Sequence, residues 1–583
     1  MINDPFAQLK KSKRPLMLCD VIYQRETKFT DWHDYINIVY KDLITGEKKL
    51  FTIKDPQYEI YVVKPEYRTF KTQRDFLEKY KLKEYVINYK DRYKEVAKLA
   101  TQESGNNFYV DYIKNARTND EKRMIYTYPY VLGADIDIET YYIAKWQHEL
   151  SNDKPKEVTS FFLDIEVNLK GWEGDIPKNG ECPIDAVTLI DGPSKMSYTF
   201  LYKTPDNPQI DDFVTPEKQK EYQAKCADMF GEDYDIKEYK TYMFESELEM
   251  LKQLFVLIHQ LKRDFGMVWN GFGFDLPYIR GRFEQLGEDP KMYMCHSDFP
   301  TTTLILFEDT KTFDFDKKRS FATVSCYTHW IDQQIQYASL RKSQGALKKV
   351  SLDYIAQEEE IGRKIDHTNI GNFTTFSYND YLLYVLYNIK DVLLQYGIDN
   401  KVDDMTRYYN QCVNNCVSYK DGLKQTVSLR SLIYSLLKYE YDMVLGHNIN
   451  FMNASDDDDK DDEDEDDDTF EGAINADPML NSELGLELFG KMSKFLFGDS
   501  IDFDFSAMYP NAIMVFNIFK TTMIGKLIIE NVEHVLSYDE DAGKEFVEDM
   551  IAQDAVHTCH KWFGLPDGEE MTNLINEALS NVA

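Results

Sequence analysis

Residues 161–167 read Phe-Phe-Leu-Asp-Ile-Glu-Val, an apolar run broken only by Asp164 and Glu166. Apolar residues this dense predict a buried strand. Two carboxylates do not belong in a buried strand unless something neutralises them, and a metal ion is the natural partner. Residues two apart on a strand point to the same face, so Asp164 and Glu166 would project together while Ile165 turns into the core.

Such a pair of acids is half of a site for a hard cation. Mg²⁺ and Mn²⁺ prefer oxygen ligands, and two such ions about 3.5–4 Å apart commonly serve to cut or form phosphodiester bonds. The alternative is a strand end with two solvated acids. The segment Ala134–Glu139 has the same alternation, but it follows Pro129 and Gly133, which predict a turn into a half-exposed edge strand. The later pair is therefore the predicted site.

Length and composition predict a globular protein of three or four domains, because a chain of 583 residues is too long to fold around one hydrophobic core. Aromatic residues make up 14% of the chain, and no apolar run approaches the ~20 residues of a membrane span. Eight cysteines lie scattered without a disulfide framework, and the N-terminus lacks a signal-peptide pattern. We therefore expect a cytoplasmic protein with no membrane partner.

The formal net charge of −34 argues against generic, charge-driven binding to nucleic acid. Part of this charge is local, since residues 456–468 hold twelve acids and one lysine. Any contact with DNA must therefore come from local clusters or from another chain.

The order of strand-like and helix-like segments predicts an α/β and α+β multidomain chain. Residues 1–157 read as an α+β domain with strands at 36–40, 50–53 and 58–63 and a helix at Thr72–Lys83. Residues 158–400 read as an α/β layer with helices at Glu245–Leu261 and Tyr378–Tyr396. Then follow a helical connection at 401–455, an acidic linker at 456–470 and a further domain at 471–583.

Two later motifs carry more acids. Residues 269–278 place Gly271 and Gly273 beside Asn270, so the backbone can turn sharply before Asp275 starts a helix. Asp275 is either a third metal ligand or a helix N-cap. In the second motif, Tyr387 and Asp391 are four residues apart and share a helix face.

The ordered set Asp-x-Glu, Asn-x-x-x-Phe-Asp and Tyr-x-x-x-Asp resembles the three exonuclease motifs of family B DNA polymerases. The resemblance implies a ribonuclease H-like 3′-to-5′ exonuclease domain at 158–400 that binds two Mg²⁺ ions, with Mn²⁺ as an alternative. It also implies residue roles: metal ligands Asp164, Glu166, Asp275 and Asp391, water-orienting Tyr387, and DNA-binding Asn270 and Phe274. Gly362-Arg363-Lys364 resembles the segment that places a cation near this site, with Arg363 at the usual lysine position and so also assigned to DNA.

The segment 504–511, Asp-Phe-Ser-Ala-Met-Tyr-Pro-Asn, resembles polymerase motif A. The resemblance implies that Asp504 is a catalytic ligand of both palm metals and that Tyr509 packs under the deoxyribose. The main chain of Ser506, Ala507 and Met508 would cradle the triphosphate. Ala507, Met508 and Asn511 depart from the family pattern, which leaves the metal ligand intact.

The palm is expected to be partial, since no Lys-x-x-x-Asn-Ser-x-Tyr-Gly helix and no Asp-Thr-Asp strand follow Asn511. Two-metal synthesis needs both palm acids, so polymerisation is expected only with a C-terminal polymerase subunit. The resemblance is to the N-terminal half of a split replicative polymerase, as in some tailed bacteriophages, which implies host cytoplasm. A truncated chain is the other possibility.

The expected partners are primer-template and single-stranded DNA, deoxynucleoside triphosphates and, as a further candidate, a sliding clamp. Two alternatives stand beside this prediction. One is a free-standing 3′-to-5′ DNA exonuclease, and the other is a non-catalytic assembly subunit of a replisome.

Overall fold

The computed structural model describes residues 5–446 except 26–31, 69–76, 106, 129, 152–156, 175, 206, 214, 301–303, 311, 313–317, 343–346, 348 and 367–372. These residues belong to the first of two compact units, Met1–Asp457. The predicted linker and palm, with Asp504, Tyr509 and residues 506–508, lie outside the described residues. Within the described part, no helix has both the length and the hydropathy that a membrane crossing requires.

Two three-stranded antiparallel sheets and one two-stranded pair include the strands of the first part of the chain. β1 (Leu16–Arg25), β2 (Asp34–Asp42) and β3 (Lys48–Lys54) pair in that order. β4 (Gln57–Val63) lies between β6 (Leu82–Asn88) and β7 (Val131–Leu132), and β5 (Leu77–Glu78) pairs with β16 (Met443–Val444). The helices here are α1 (Ala7–Ser12), α2 (Arg92–Ser104), α3 (Phe108–Asn115), α4 (Asn119–Arg123) and α5 (Ile138–Leu150). The strands predicted at 36–40, 50–53 and 58–63 are confirmed as parts of β2, β3 and β4.

The helix predicted over Thr72–Lys83 is not found in residues 77–83, which form β5, a 3₁₀ turn and the start of β6. β6 pairs with β4 along its whole length and buries Leu82 and Ile87. This pairing outweighs the helix propensity of the local lysine, leucine and glutamate residues.

A six-stranded mixed sheet follows. β8 (Ser160–Val167), β9 (Ile184–Asp191) and β10 (Met196–Tyr202) form an antiparallel meander, and β11 (Glu238–Phe244) lies parallel to β10. β12 (Phe265–Val268) lies parallel to β8, and β15 (His329–Asp332) lies parallel to β12. The strand order is β11-β10-β9-β8-β12-β15. A hairpin of β13 (Ile305–Glu308) and β14 (Phe321–Val324) precedes β15. The mixed α/β arrangement is consistent with the expected ribonuclease H-like fold.

The helices of this region cover the sheet and extend beyond it. They are α6 (Pro208–Phe213), α7 (Pro216–Tyr234), α8 (Glu247–Leu261), α9 (Asp275–Gln285), α10 (Lys291–Met294), α11 (Gln333–Leu340), α12 (Leu352–Glu358), α13 (Phe376–Asn379), α14 (Tyr381–Val402), α15 (Asp404–Asn414) and α16 (Gln425–Tyr439). The helices predicted at 245–261 and 378–396 are confirmed as α8 and α14. The Ser246 side chain caps α8 by accepting from the Glu249 amide at 3.4 Å.

The predicted strand at 161–167 is confirmed as β8, and it lies in the middle of the sheet between β9 and β12. Phe161, Leu163 and Ile165 belong to one hydrophobic cluster, which includes residues of α8 and α9. Phe162 belongs to a second cluster, which includes residues of α14 on the other face. The alternation of a strand therefore turns Asp164 and Glu166 towards α14.

Candidate active site

Three carboxylates converge where α14 crosses β8. One oxygen from each of Asp164, Glu166 and Asp391 lies within 4.8 Å of the others. Glu166 and Asp391 are buried, and Asp164 is half-buried. The structure thus brings the two strand acids and the helix acid of the sequence motifs into one cluster.

Polar contacts with the sheet fix the rotation of α14. Asn388, which is fully buried, donates from Nδ2 to Asp164 Oδ2 at 2.9 Å. One turn earlier, Tyr384 Oη donates to the buried Asp185 on β9 at 2.5 Å. The pairing of β8 with β9 is irregular opposite Asp185, and bulges of this kind re-aim side chains. Asn388 follows Tyr384 by four residues and precedes Asp391 by three, so all three lie on one face of α14. The two contacts therefore also turn Asp391 towards the strand acids.

The acids of the cluster raise one another's pKa values. Burial raises the pKa of Asp164 well above its usual range, and the charges of Asp275 and Asp391 raise it further. Burial and then Asp164 have the same effect on the pKa of Glu166. Burial likewise raises the pKa of Asp391. Carboxylates this close carry their full negative charge only when cations compensate it.

Lys364 is the cation that the structure brings to these acids. Its Nζ donates to Asp391 Oδ2 at 2.6 Å and to Tyr387 Oη at 3.3 Å. Burial would lower the pKa of Lys364, but Asp391 and Tyr387 outweigh it and raise the pKa above its ordinary value, so the amine stays charged. Arg363, the residue that sequence reasoning assigned, has an exposed side chain. Lys364 and Asn388 both stand within the sequence motifs, but no role was predicted for either.

Asp275 lies beside the cluster of three carboxylates but outside it. It is the first residue of α9, and the N-cap position belongs to Phe274. Its side chain is buried, and burial raises its pKa to about 7. Its charge in turn is the largest carboxylate influence on the pKa of Asp164. Asp275 therefore belongs electrostatically to the site.

The loop before Asp275 is held by an acid that sequence reasoning missed. Asn270 adopts the left-handed conformation with φ +58°, and its amide donates to Asp332 Oδ1 at 3.1 Å. The amide of Phe272 donates to Asp332 Oδ2 at 3.3 Å. Asp332 also caps α11, and an Asp at the end of a strand does signal such a cap. Asp332 also holds the 270–272 loop, which lies some sixty residues earlier in the chain. No local sequence pattern indicates this contact.

The exposed part of this loop contains both residues that were assigned to DNA. Asn270 is exposed, and Phe274 is half-buried. The Phe274 ring stacks on Tyr278 with the centroids 5.1 Å apart. The Asn270 amide and the Phe274 ring thus lie near Asp275 on a loop that Asp332 holds in place.

The edge strand predicted for Ala134–Glu139 is wrong. The strand ends at Leu132, and Asp137 caps α5 by accepting from the amides of Glu139 and Thr140 at 3.0 and 3.3 Å. Glu139 is buried and pairs with Lys420 at 2.5 Å. The N-cap formed by Asp137 competes with strand alternation here and prevails. Both acids therefore have structural partners.

The donor set of the cluster fits divalent cations. Asp391 Oδ1 is buried and has no hydrogen-bond partner among the described residues. Carboxylate oxygens are the ligands that Mg²⁺ and Mn²⁺ prefer. Bound cations would satisfy this oxygen and offset the mutual repulsion of the acids.

Comparison with known proteins gives one family match. Residues 131–332 match the model for the exonuclease domain of family B DNA polymerases, which covers about a third of the chain. No curated protein matches the sequence. The matched segment contains Asp164, Glu166 and Asp275 and ends before Tyr387 and Asp391. Such domains indicate 3′-to-5′ nuclease activity on DNA, and they generally use divalent metals.

Proposed function

We propose that this chain is the proofreading part of a replicative family B DNA polymerase, a 3′-to-5′ exonuclease that depends on Mg²⁺ or Mn²⁺. The observation that carries the proposal is the convergence of Asp164, Glu166 and Asp391 with Lys364 and Tyr387 at the crossing of β8 and α14. The family match over 131–332 supports it independently.

Asp164, Glu166, Asp275 and Asp391 would hold two cations. When bound, such ions lower the pKa of the attacking water and stabilise the leaving 3′ oxygen. Burial raises the pKa of Tyr387, so its phenol stays protonated and can orient a water by hydrogen bonding. Lys364 fixes this phenol and Asp391 in one arrangement.

The DNA strand would enter beside the loop that follows β8. This loop exposes Lys170 and Trp172, and Lys170 Nζ lies 3.9 Å from the ring centroid of Tyr378. Exposed aromatic and cationic side chains such as Trp172 and Lys170 favour binding of single-stranded DNA, because bases stack on aromatic rings and phosphates pair with cations. Asn270 and Phe274 are proposed to contact the same strand, with the exposed Arg363 as a further cation.

DNA synthesis is proposed to use Asp504 as the first palm metal ligand, with Tyr509 and the main chain of residues 506–508 around the nucleotide. The support is the motif at 504–511. The second palm carboxylate would come from outside these 583 residues, and a C-terminal polymerase subunit is its proposed source. Adding such a subunit should give nucleotide incorporation that Asp504→Ala abolishes while exonuclease activity remains.

The exonuclease proposal is tested on single-stranded DNA carrying a 5′ label, with Mg²⁺. The chain should shorten the strand progressively from its 3′ end. Asp164→Asn with Glu166→Gln should lower the rate on the order of 100-fold or more, since ligands of an obligatory ion are lost. The matched control is Asp137→Asn with Glu139→Gln, the other Asp-x-Glu pair. Loss of activity in the control alone, at unchanged melting temperature, would refute the assignment.

A further inference from the structure

The turn at residues 361–364 delivers Lys364 to the acids, and it is tied to three helices. The amides of Ile361 and Gly362 donate to the Ala356 carbonyl on α12 at 2.8 and 3.3 Å. The amide of Lys364 donates to Asp353 Oδ1, also on α12, at 2.8 Å. These bonds fix the backbone of the turn from one side.

On the other side, a chain of two hydrogen bonds joins the turn to α14 through Tyr234, the last residue of α7. Lys390 Nζ donates to Tyr234 Oη at 2.8 Å, and Tyr234 Oη donates to the Ile361 carbonyl at 3.2 Å. The phenol thus accepts from an ammonium and donates to a carbonyl, an arrangement in which each bond strengthens the other. Tyr234 is buried, and Lys390 is half-buried.

Lys390 is placed unusually for a half-buried lysine. Its ammonium lies over two aromatic rings, 4.6 Å from the centroid of Tyr234 and 5.6 Å from that of Phe230. Its hydrogen bond in the described structure goes to the phenol and not to a carboxylate, although it directly precedes Asp391 in sequence. The residue that pairs with Asp391 is Lys364.

Two glycines leave the space that this arrangement needs. Gly397 on α14 lies so close to the turn that a Cβ there would come within 2.6 Å of Ile361 Cγ2. Gly362 has φ +141°, a conformation that side-chain-bearing residues rarely adopt. A Cβ on Gly362 would lie 3.4 Å from both Lys390 Nζ and Tyr234 Oη. The turn, the phenol and the ammonium are therefore closely packed around one point.

We infer that Lys390 and Tyr234 are positioning residues for the exonuclease reaction: they clamp the 361–364 turn and so hold the Lys364 ammonium between Asp391 and Tyr387. This inference rests on the proposed exonuclease function. Lys390 acts through Tyr234 and the Ile361 carbonyl, and it does not itself reach the reacting atoms. The clamp also joins α7 and α14, so the site depends on a helix that carries none of the four proposed metal ligands.

The test compares Tyr234→Phe and Lys390→Met with the wild-type chain. Tyr234→Phe removes both hydrogen bonds of the phenol, and Lys390→Met removes only the bond between the ammonium and the phenol. Both substitutions keep most of the side-chain volume. The exonuclease kcat should fall about 10–100-fold, as for residues that orient ligands, while KM for single-stranded DNA stays within about twofold. Lys390→Arg, which retains a donor, should recover most of the activity. Lys220→Met, at an exposed position on α7, is the matched control and should behave as wild type.

A second readout does not depend on activity. The rate at which an amine-reactive reagent modifies Lys364, followed by mass spectrometry, should rise at least about fivefold in both variants, because a released amine becomes accessible. Melting temperatures identify any variant that fails to fold.

The outcomes separate the inference from the function on which it rests. Unchanged modification of Lys364 in folded variants overturns the clamp whether or not the enzyme is active. Faster modification of Lys364 together with a wild-type kcat overturns the role of the clamp in the reaction. An inactive wild-type chain overturns the proposed exonuclease, and the modification rates then still decide whether the clamp exists.

Discussion

Lys364 and Arg363 are neighbours in sequence, yet only Lys364 meets the acids. We predict that Lys364→Met lowers the exonuclease kcat about 10–100-fold, because Asp391 and Tyr387 both lose the group that orients them. Arg363→Met is the matched control and should change mainly KM for DNA, by a few-fold. Steady-state kinetics on a single-stranded substrate measures both. A larger kcat loss in Arg363→Met would reverse this assignment.

Asp185 gives a prediction of pH dependence. Burial raises its pKa to about 7, above the ordinary value of about 4. The folded protein then binds more protons than the unfolded chain between these values, so this residue lowers the free energy of unfolding as the pH rises from 4 to 7.

Asp185→Asn keeps an acceptor for Tyr384 and removes the ionisation. We expect the variant to be more stable than wild type at pH 8 by about 2–4 kcal/mol and to differ little at pH 4. Urea unfolding at the two pH values measures this difference. A stability gain that is equal at both values would exclude the ionisation of Asp185 as its cause.

The limits of sequence reasoning are visible in single residues. Asp164 and Glu166 could be placed together because a strand's period of two is a local property. Whether Lys364 or Arg363 meets the acids depends on the path of the backbone through Gly362. The φ of +141° at Gly362 is not determined by its neighbours in sequence. Asp332 and Asp185 were not found, since each acts on a segment far from it in sequence.

Among the helices, α14 contributes most to the site, because it carries Tyr387, Asn388 and Asp391. We predict that Asn388→Ala lowers exonuclease activity about 10–100-fold, since Asp164 loses its hydrogen-bond donor. Asn400→Ala, an exposed position on the same helix, is the matched control and should leave activity unchanged. Activity equal to wild type in Asn388→Ala would show that Asp164 needs no such support.

Periodicity was sufficient for the long elements and insufficient for the short ones. α8 and α14 have enough turns for their apolar spacing to define a face. Thr72–Lys83 would make only about three helical turns, and Ala134–Glu139 is shorter still. Pairing with β16 and β4 decides the structure of the first in its described part, and the capping by Asp137 decides that of the second. Such short segments take their structure from strand pairing or from a helix cap and not from their own periodicity.

Across the described chain, the first sheet and the six-stranded sheet are joined by a buried charge network. Lys48 on β3 and Lys41 on β2 pair with Asp264 at 2.9 and 2.8 Å, and the Asp264 side chain is 2% exposed. Burial alone would raise the pKa of Asp264, but the two lysines hold it well below its usual range. The stabilisation by this carboxylate is present above pH 4 and is lost as the pH falls below that value.

We predict that Lys48→Met lowers the free energy of unfolding by about 3 kcal/mol at pH 7, because half of the compensation for a buried charge is removed. Lys49→Met, whose lysine lies in an exposed pair with Glu47, should cost less than about 0.5 kcal/mol. Chemical denaturation measures both values. Equal costs would show that the Asp264 network adds nothing to stability.

The acidic run at 456–468 supplies a net charge of −11 that opposes DNA. We predict that deleting it strengthens binding to single-stranded DNA at low salt, that the gain disappears at high salt, and that the melting temperature is unchanged. Replacing the run with neutral residues of equal number is the matched control and should give the same gain. Fluorescence anisotropy across a salt series measures the affinity.

The crossing of β8 by α14 also determines when the proposed exonuclease can first cut DNA. The strand acids leave the ribosome more than two hundred residues before Asp391, and the intervening chain must fold to bring α14 across the sheet. A nascent chain that stops at Asp332 has the strand acids and no helix acid, so it is expected to be inert towards DNA. Nuclease activity should therefore arise abruptly during synthesis, once α14 has emerged and docked, and a growing chain cannot degrade DNA before its own catalytic domain is folded.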